Sequence, residues 1–129
     1  MNVGDLVVAP YKSGVYVGEL LELNRPKAKV RMLAVLKHPT QGDLHHPMQA
    51  EVAFFHERRA LAHREVANVF ISELMPYEES EAPDYATSLK SAWEAEIEAM
   101  KRRDDAFGRL ALERLERLGA DYFRDNGER

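Results

Sequence analysis

The hydrophobic period of this chain changes near Glu78. Before that point apolar residues recur at every second position, and after it at every third or fourth. The switch restricts the fold strongly, because side chains two apart share one side of a strand, whereas those three and four apart share one side of a helix. An α+β fold is expected, with β structure first and helices after. Gly4–Ala9 predicts a strand ending near Pro10, and Ser13-Gly14 supplies a turn into a second strand from Val15 to Leu23. In that strand Val15, Val17, Leu21 and Leu23 share a parity and are expected to face the core. Asn24-Arg25-Pro26-Lys27 reads as a hairpin connection into Ala28–Leu36, where Val30, Met32, Ala34 and Leu36 oppose Lys29, Arg31 and Lys37. Leu33 and Val35 break the alternation. Apolar residues on the outward side of a strand require a second packing layer, so the C-terminal helices are expected to dock near Leu20, Leu33 and Val35.

The stretch Arg59–Val69 suits a helix by composition and a fourth strand by position; the strand is favoured. Ile71–Leu74 reads as one helical turn, and Met75-Pro76-Tyr77 as a short closing strand whose proline is tolerated at an edge. Five short strands with a helical turn before the last describe a small SH3-like antiparallel β-barrel over residues 1–78. Residues 79–129 are expected to supply an acidic linker and a C-terminal antiparallel helical hairpin packed on the barrel. Asp84 is placed to cap the first helix, whose stripe is Tyr85, Leu89, Ala92, Trp93, Ile97 and Met100. Asp104 or Asp105 is placed to cap the second, with Phe107, Leu110, Ala111, Leu115, Leu118 and Tyr122 as its stripe. Arg109 with Glu113, and Glu113 with Arg117, have the i,i+4 spacing of helical ion pairs. Neither helix carries an evident site, and their polar faces are not basic, which argues against a membrane-surface role.

A length of 129 residues suits one compact domain, or a small domain with an appendage. The net charge of -4 argues against a general nucleic-acid or anionic-membrane binder, since both need clustered positive charge. With no cysteine, disulfides, thiolate zinc sites and a cysteine nucleophile are excluded. The N-terminal Met1-Asn2-Val3-Gly4-Asp5 has no basic leader segment, and no apolar run approaches the roughly 20 residues that span a bilayer. The expectation is a cytoplasmic protein without a direct membrane anchor and with no nucleic-acid partner.

All five histidines fall between His38 and His63, in a stretch that also holds Asp43, Glu57, Arg58, Arg59 and the pair Phe54-Phe55. Two histidines and a carboxylate suffice for a divalent ion, which makes His38, Asp43, His45, His46 and His56 candidate ligands. The spacing opposes it: adjacent His45 and His46 point apart in extended chain, and His56-Glu57 lacks a second histidine at the helical offset. No serine sits in a nucleophile-elbow pattern, and no glycine-rich loop suits a phosphate. A noncatalytic protein without metal or cofactor is expected. Gln41-Gly42-Asp43 reads as a turn, and His38 and His46, each before a proline, are confined to extended conformations. Phe54 and Phe55 are expected on opposite sides of the chain. Glu57, Arg58 and Arg59 suit either a network that pins the loop or, with the aromatics, an anchor for a partner.

The runs Val35-Leu36-Lys37-His38-Pro39-Thr40-Gln41-Gly42-Asp43-Leu44-His45 and Phe54-Phe55-His56-Glu57-Arg58-Arg59-Ala60-Leu61-Ala62 closely resemble the kinase-associated protein B (KapB) family of spore-forming Gram-positive bacteria. Tyr11–Glu19 and Pro83-Asp84-Tyr85 extend the resemblance over nearly the whole chain. It implies a β-barrel followed by helices. It also implies an accessory role with a membrane sensor histidine kinase that feeds the sporulation phosphorelay. The implied partner is that kinase or another phosphorelay component, which would also provide any recruitment to the inner face of the membrane. Members are often named lipoproteins, but this chain has no cysteine to acylate. The matching residues His38, Gln41, Asp43, His45, Phe54, Phe55, His56, Arg58 and Arg59 are the candidate partner-binding set. The alternative functions are a small-ligand or nucleic-acid binding module on the barrel, and a metal-dependent hydrolase.

Overall fold

The computed structural model describes residues 1–124. Its architecture is α+β: five antiparallel strands, then two helices. The strands are β1 (Leu6–Tyr11), β2 (Gly14–Asn24), β3 (Lys27–Lys37), β4 (Val66–Phe70) and β5 (Met75–Pro76), with a 3-10 turn at Ile71–Glu73; the helices are α1 (Tyr85–Arg102) and α2 (Ala106–Tyr122). The ladder order β4-β3-β2-β1-β5 leaves β4 and β5 as its edges. The barrel is therefore not closed by hydrogen bonds among the described residues, although order and turn are compatible with an SH3-like arrangement.

Residue contacts divide the chain into two compact units. One comprises Met1–Pro39 with Ala60–Ala92, and the other Thr40–Arg59 with the described residues from Trp93 onward. The first holds the whole sheet and the first two turns of α1. In β3 the expected alternation is found for Val30, Met32 and Ala34, all fully buried. Leu36, expected on the same face, is exposed at the end of the strand. Val35 on the other face is also buried, and its amide donates to Ser88 Oγ at 3.0 Å, so the start of α1 covers this side of the strand. That is the second layer which Leu33 and Val35 require. Asp84 caps α1 as expected, accepting from the Thr87 amide at 3.0 Å and the Thr87 hydroxyl at 2.9 Å.

The parity expected of β2 fails. Val17 is buried, but so are Tyr16 and Leu20, while Leu21 is only partly buried and Leu23 is exposed. The register of β2 against β3 shifts between Val15 and Tyr16, between Val17 and Gly18, and between Leu20 and Glu22. Each such bulge moves the following residues to the other face, so no single parity survives the strand. The fourth strand is also shorter than expected. Arg64 has a φ of 72°, a left-handed conformation that breaks an extended run, and regular pairing with β3 covers only Val66–Phe70. Residues before that turn are held by side chains: the hydroxyl of Tyr16 accepts from the Leu61 amide at 3.2 Å, and that of Tyr85 donates to the Leu61 carbonyl at 2.5 Å.

In the second unit α1 and α2 form an antiparallel hairpin. Trp93 Nε1 donates to the Leu115 carbonyl at 2.7 Å, and Ile97, Met100, Phe107, Ala111 and Leu115 form a buried cluster. Gly119 lies so close to the Trp93 indole that a Cβ there would collide with the ring, which sets the approach of the two helices. Asp105, one of the two expected caps, accepts from the Gly108 amide at 2.8 Å, and Arg103 binds the same carboxylate at 2.8 Å.

Candidate partner-binding segment

The second unit contains eight of the nine candidate residues. The segment 40–59 forms no strand, and its two ends are joined by a side chain acting in place of backbone. The Gln41 amide oxygen accepts from the Arg58 amide at 2.8 Å, while its Nε2 donates to the Arg58 carbonyl at 2.9 Å. This pair reproduces one rung of an antiparallel ladder. Arg58 Nε then donates to the Gly42 carbonyl at 2.8 Å, and the Gly42 amide to the His56 carbonyl at 2.9 Å. Gly42 has a φ of 104°, so a side chain there would be strained, and the rings of Phe55 and Phe107 lie beside the space it would fill.

Asp43 forms the expected turn. Its Oδ1 accepts from the His45 amide at 2.8 Å and its Oδ2 lies 3.2 Å from His46 Nδ1. The His45 amide, followed by the His46 ring, holds its carboxyl below the usual carboxylate range. His45 and His46 themselves project into solvent.

Phe54 and Phe55 do face opposite ways. Phe55 packs on Phe107, centroids 5.8 Å apart, beneath the guanidinium of Arg114 at 5.7 Å. Phe54 is 71% exposed and stacks with His56 at 5.8 Å. Beyond them Glu57 lies 3.4 Å from Arg117, and Arg59 pairs with Asp121 while its guanidinium lies over the Tyr122 ring at 5.1 Å. Glu57, Arg59, Arg117, Asp121 and Arg124 help to line a cavity of about 520 Å³. The helix residues in this group escaped the sequence reading, which found no site on α2. Nothing in the spacing of α2 marks them: Arg117 meets Glu57 rather than an i,i+4 partner, and Glu113 is 3.9 Å from Arg114.

The ninth candidate, His38, belongs to the sheet unit and is fully buried. Its Nδ1 lies 3.0 Å from the Pro39 carbonyl, which places the proton on Nδ1 in the neutral ring. Burial, only partly offset by that bond, lowers its pKa to about 4. Among the described residues no group of three or more histidine or acidic side chains is arranged to hold a metal ion. No helix among them is long and apolar enough to cross a membrane.

A family model described as Kinase associated protein B (KapB) matches residues 11–123. The chain is 43% identical over 123 residues to the kinase-associated lipoprotein B of Bacillus subtilis (strain 168), covering 95% of this chain and 94% of that protein. The crystal structure of kinase-associated protein B from Bacillus cereus matches with a TM-score of 0.79 at 37% identity, covering 95% of this chain and 97% of that one.

Proposed function

The chain belongs to the KapB family, and on that footing we propose that it is a noncatalytic accessory protein that binds a sensor histidine kinase or another component of the sporulation phosphorelay. The names of its relatives support a kinase as partner. Binding takes place in the cytoplasm, and the kinase brings the protein to the inner face of the membrane.

The observation that carries the contact is Phe54. A large aromatic left 71% exposed, braced by His56, stands on backbone whose ends are fixed by Gln41 and Arg58. Such a side chain buries apolar area on binding without first having to be ordered, which is how aromatic anchors acquire their weight in interfaces. His45, His56 and Arg59 supply the polar surround. Gln41, Asp43, Phe55 and Arg58 hold the segment in shape, and His38 acts within its own unit.

The test is capture of the kinase's cytoplasmic region on the immobilised protein. Phe54→Ala is expected to weaken capture about tenfold or more while the melting temperature stays unchanged. Wild-type capture by both Phe54→Ala and His56→Ala removes this contact surface. Failure of the unaltered protein to bind the kinase removes the reading itself.

A further inference from the structure

Within the sheet unit, β1 is bonded to β2 along its length but to β5 only at Val7 and Val8. β4 is bonded to β3 and is otherwise an edge. Between the far end of β1 and the end of β4 lies a cavity of about 470 Å³, with Tyr11, Lys12, Lys27, Asn68, Phe70 and Glu73 in its lining. Phe70 is 47% exposed. The Lys27 ammonium lies 4.9 Å from the Phe70 ring centroid, and that of Lys12 lies 5.5 Å from the Tyr11 ring. Neither lysine has an ion-pair partner among the described residues, unlike Lys29 and Lys101, which lie 4.0 Å from Glu22 and 3.8 Å from Glu98. Two unpaired ammonium groups against one carboxylate make this cleft locally positive in a chain of net charge -4.

The backbone gives an independent indication. Lys12 and Ser13 are the central residues of the two-residue hairpin between Tyr11 and Gly14, with φ of 45° and 72°. A hairpin turn with positive φ at both positions favours Asn-Gly, and other residues there cost stability. A local rule broken at the residue whose charge lines a cleft is the pattern left where function competes with stability.

We infer that this seam is a docking groove for an extended acidic segment of a protein partner. The segment adds along the edge of β4, its carboxylates meet Lys12 and Lys27, and its intervening apolar side chains lie against Tyr11 and Phe70. A nucleic-acid strand lacks the main-chain groups that pair with a sheet edge, and the net charge opposes its approach. Edge lysines also deter self-association of sheets, but that role does not account for the left-handed turn. The groove uses none of the residues proposed to contact the kinase and stands or falls separately.

The experiment is selection of a random peptide display library on the full-length protein. Enrichment of sequences alternating Asp or Glu with apolar residues is expected, with amide perturbations at Asn68–Phe70 on binding. Affinity should fall about tenfold or more in Lys12→Glu/Lys27→Glu and weaken with added salt, while Lys90→Glu leaves it unchanged. Lys12→Asn/Ser13→Gly guards against mistaking misfolding for lost contact: it should raise the melting temperature by a few degrees and still weaken binding. Failure to enrich any sequence, enrichment of neutral or basic sequences, or undiminished binding by the charge-reversed variant overturns the proposal. So does tighter binding of oligothymidylate at the same residues.

Discussion

In the unit formed by residues 1–39 and 60–92, long backbone ladders are covered by aliphatic side chains such as Leu20, Val30 and Met32, all fully buried. In the unit formed by 40–59 with the later part of α1 and α2, the segment 40–59 has no ladder. It is shaped by a glutamine side chain, arginines and packed rings. The first kind of structure draws mainly on apolar burial, which is distributed over many contacts and insensitive to direction. The second draws on a few directional bonds, each of which leaves a stranded partner when removed. Damage should therefore take different forms in the sheet and in the segment 40–59, and the forms are measurable.

The largest effect is expected in the sheet unit. Met32→Ala should lower stability by about 2–5 kcal/mol, through lost transfer energy and the cavity left behind, seen as a reduced denaturation midpoint. A loss well under 1 kcal/mol would mean that the sheet core is less tightly filled than its burial indicates.

Next comes the response to pH. The ring of His38 is held neutral in the fold, with a pKa of about 4 against an ordinary 6.5. The unfolded chain therefore takes up the proton first, and stability is lost as pH falls from about 6.5 to about 4, by about 3 kcal/mol in all. The lowered carboxyls of Asp43, Asp84 and Asp105 act in a separate window, withdrawing their support as pH falls below about 3.8. His38→Asn should flatten the upper part of the urea-denaturation profile against pH. A slope that persists in the variant would assign it elsewhere.

A smaller loss is expected in the other unit. Gln41→Ala removes both bonds to Arg58 and should cost about 1–3 kcal/mol, with faster hydrogen exchange at the Arg58 amide as its local signature. Unchanged exchange at the Arg58 amide despite the substitution would show that the rung is redundant. Smallest of all, Phe54→Ala should change stability by less than about 0.5 kcal/mol, since the ring is mostly exposed. A larger loss would turn that residue from a contact into a brace.

The same contrast explains what was legible in the sequence. Alternation at Val30, Met32 and Ala34, the outward-facing Val35, and the caps Asp84 and Asp105 depend on local spacing, and they emerge as expected. The face of β2 does not, because bulges are set by the partner strand and leave no mark in the alternation itself. The clasp of Gln41 on Arg58 joins residues 17 apart through a side chain standing in for an amide, which no periodicity announces. The meeting of Glu57 with Arg117 and of Arg59 with Asp121 is longer in range still. The histidines divided in the same way: their number was visible, but not that one is fully buried while His45 and His46 face solvent.

The rung made by Gln41 fixes where the excursion from Gly42 to His56 begins and ends without fixing how long it must be. Lengthening a closed excursion costs little, about 0.6 kcal/mol for each doubling. The stretch around Gln49 and Ala50 is thus a natural insertion point, where extra residues can be threaded into the chain while Phe54 and the clasp keep their positions. In homologues, length variation should accumulate there rather than at Gly42 or Arg58.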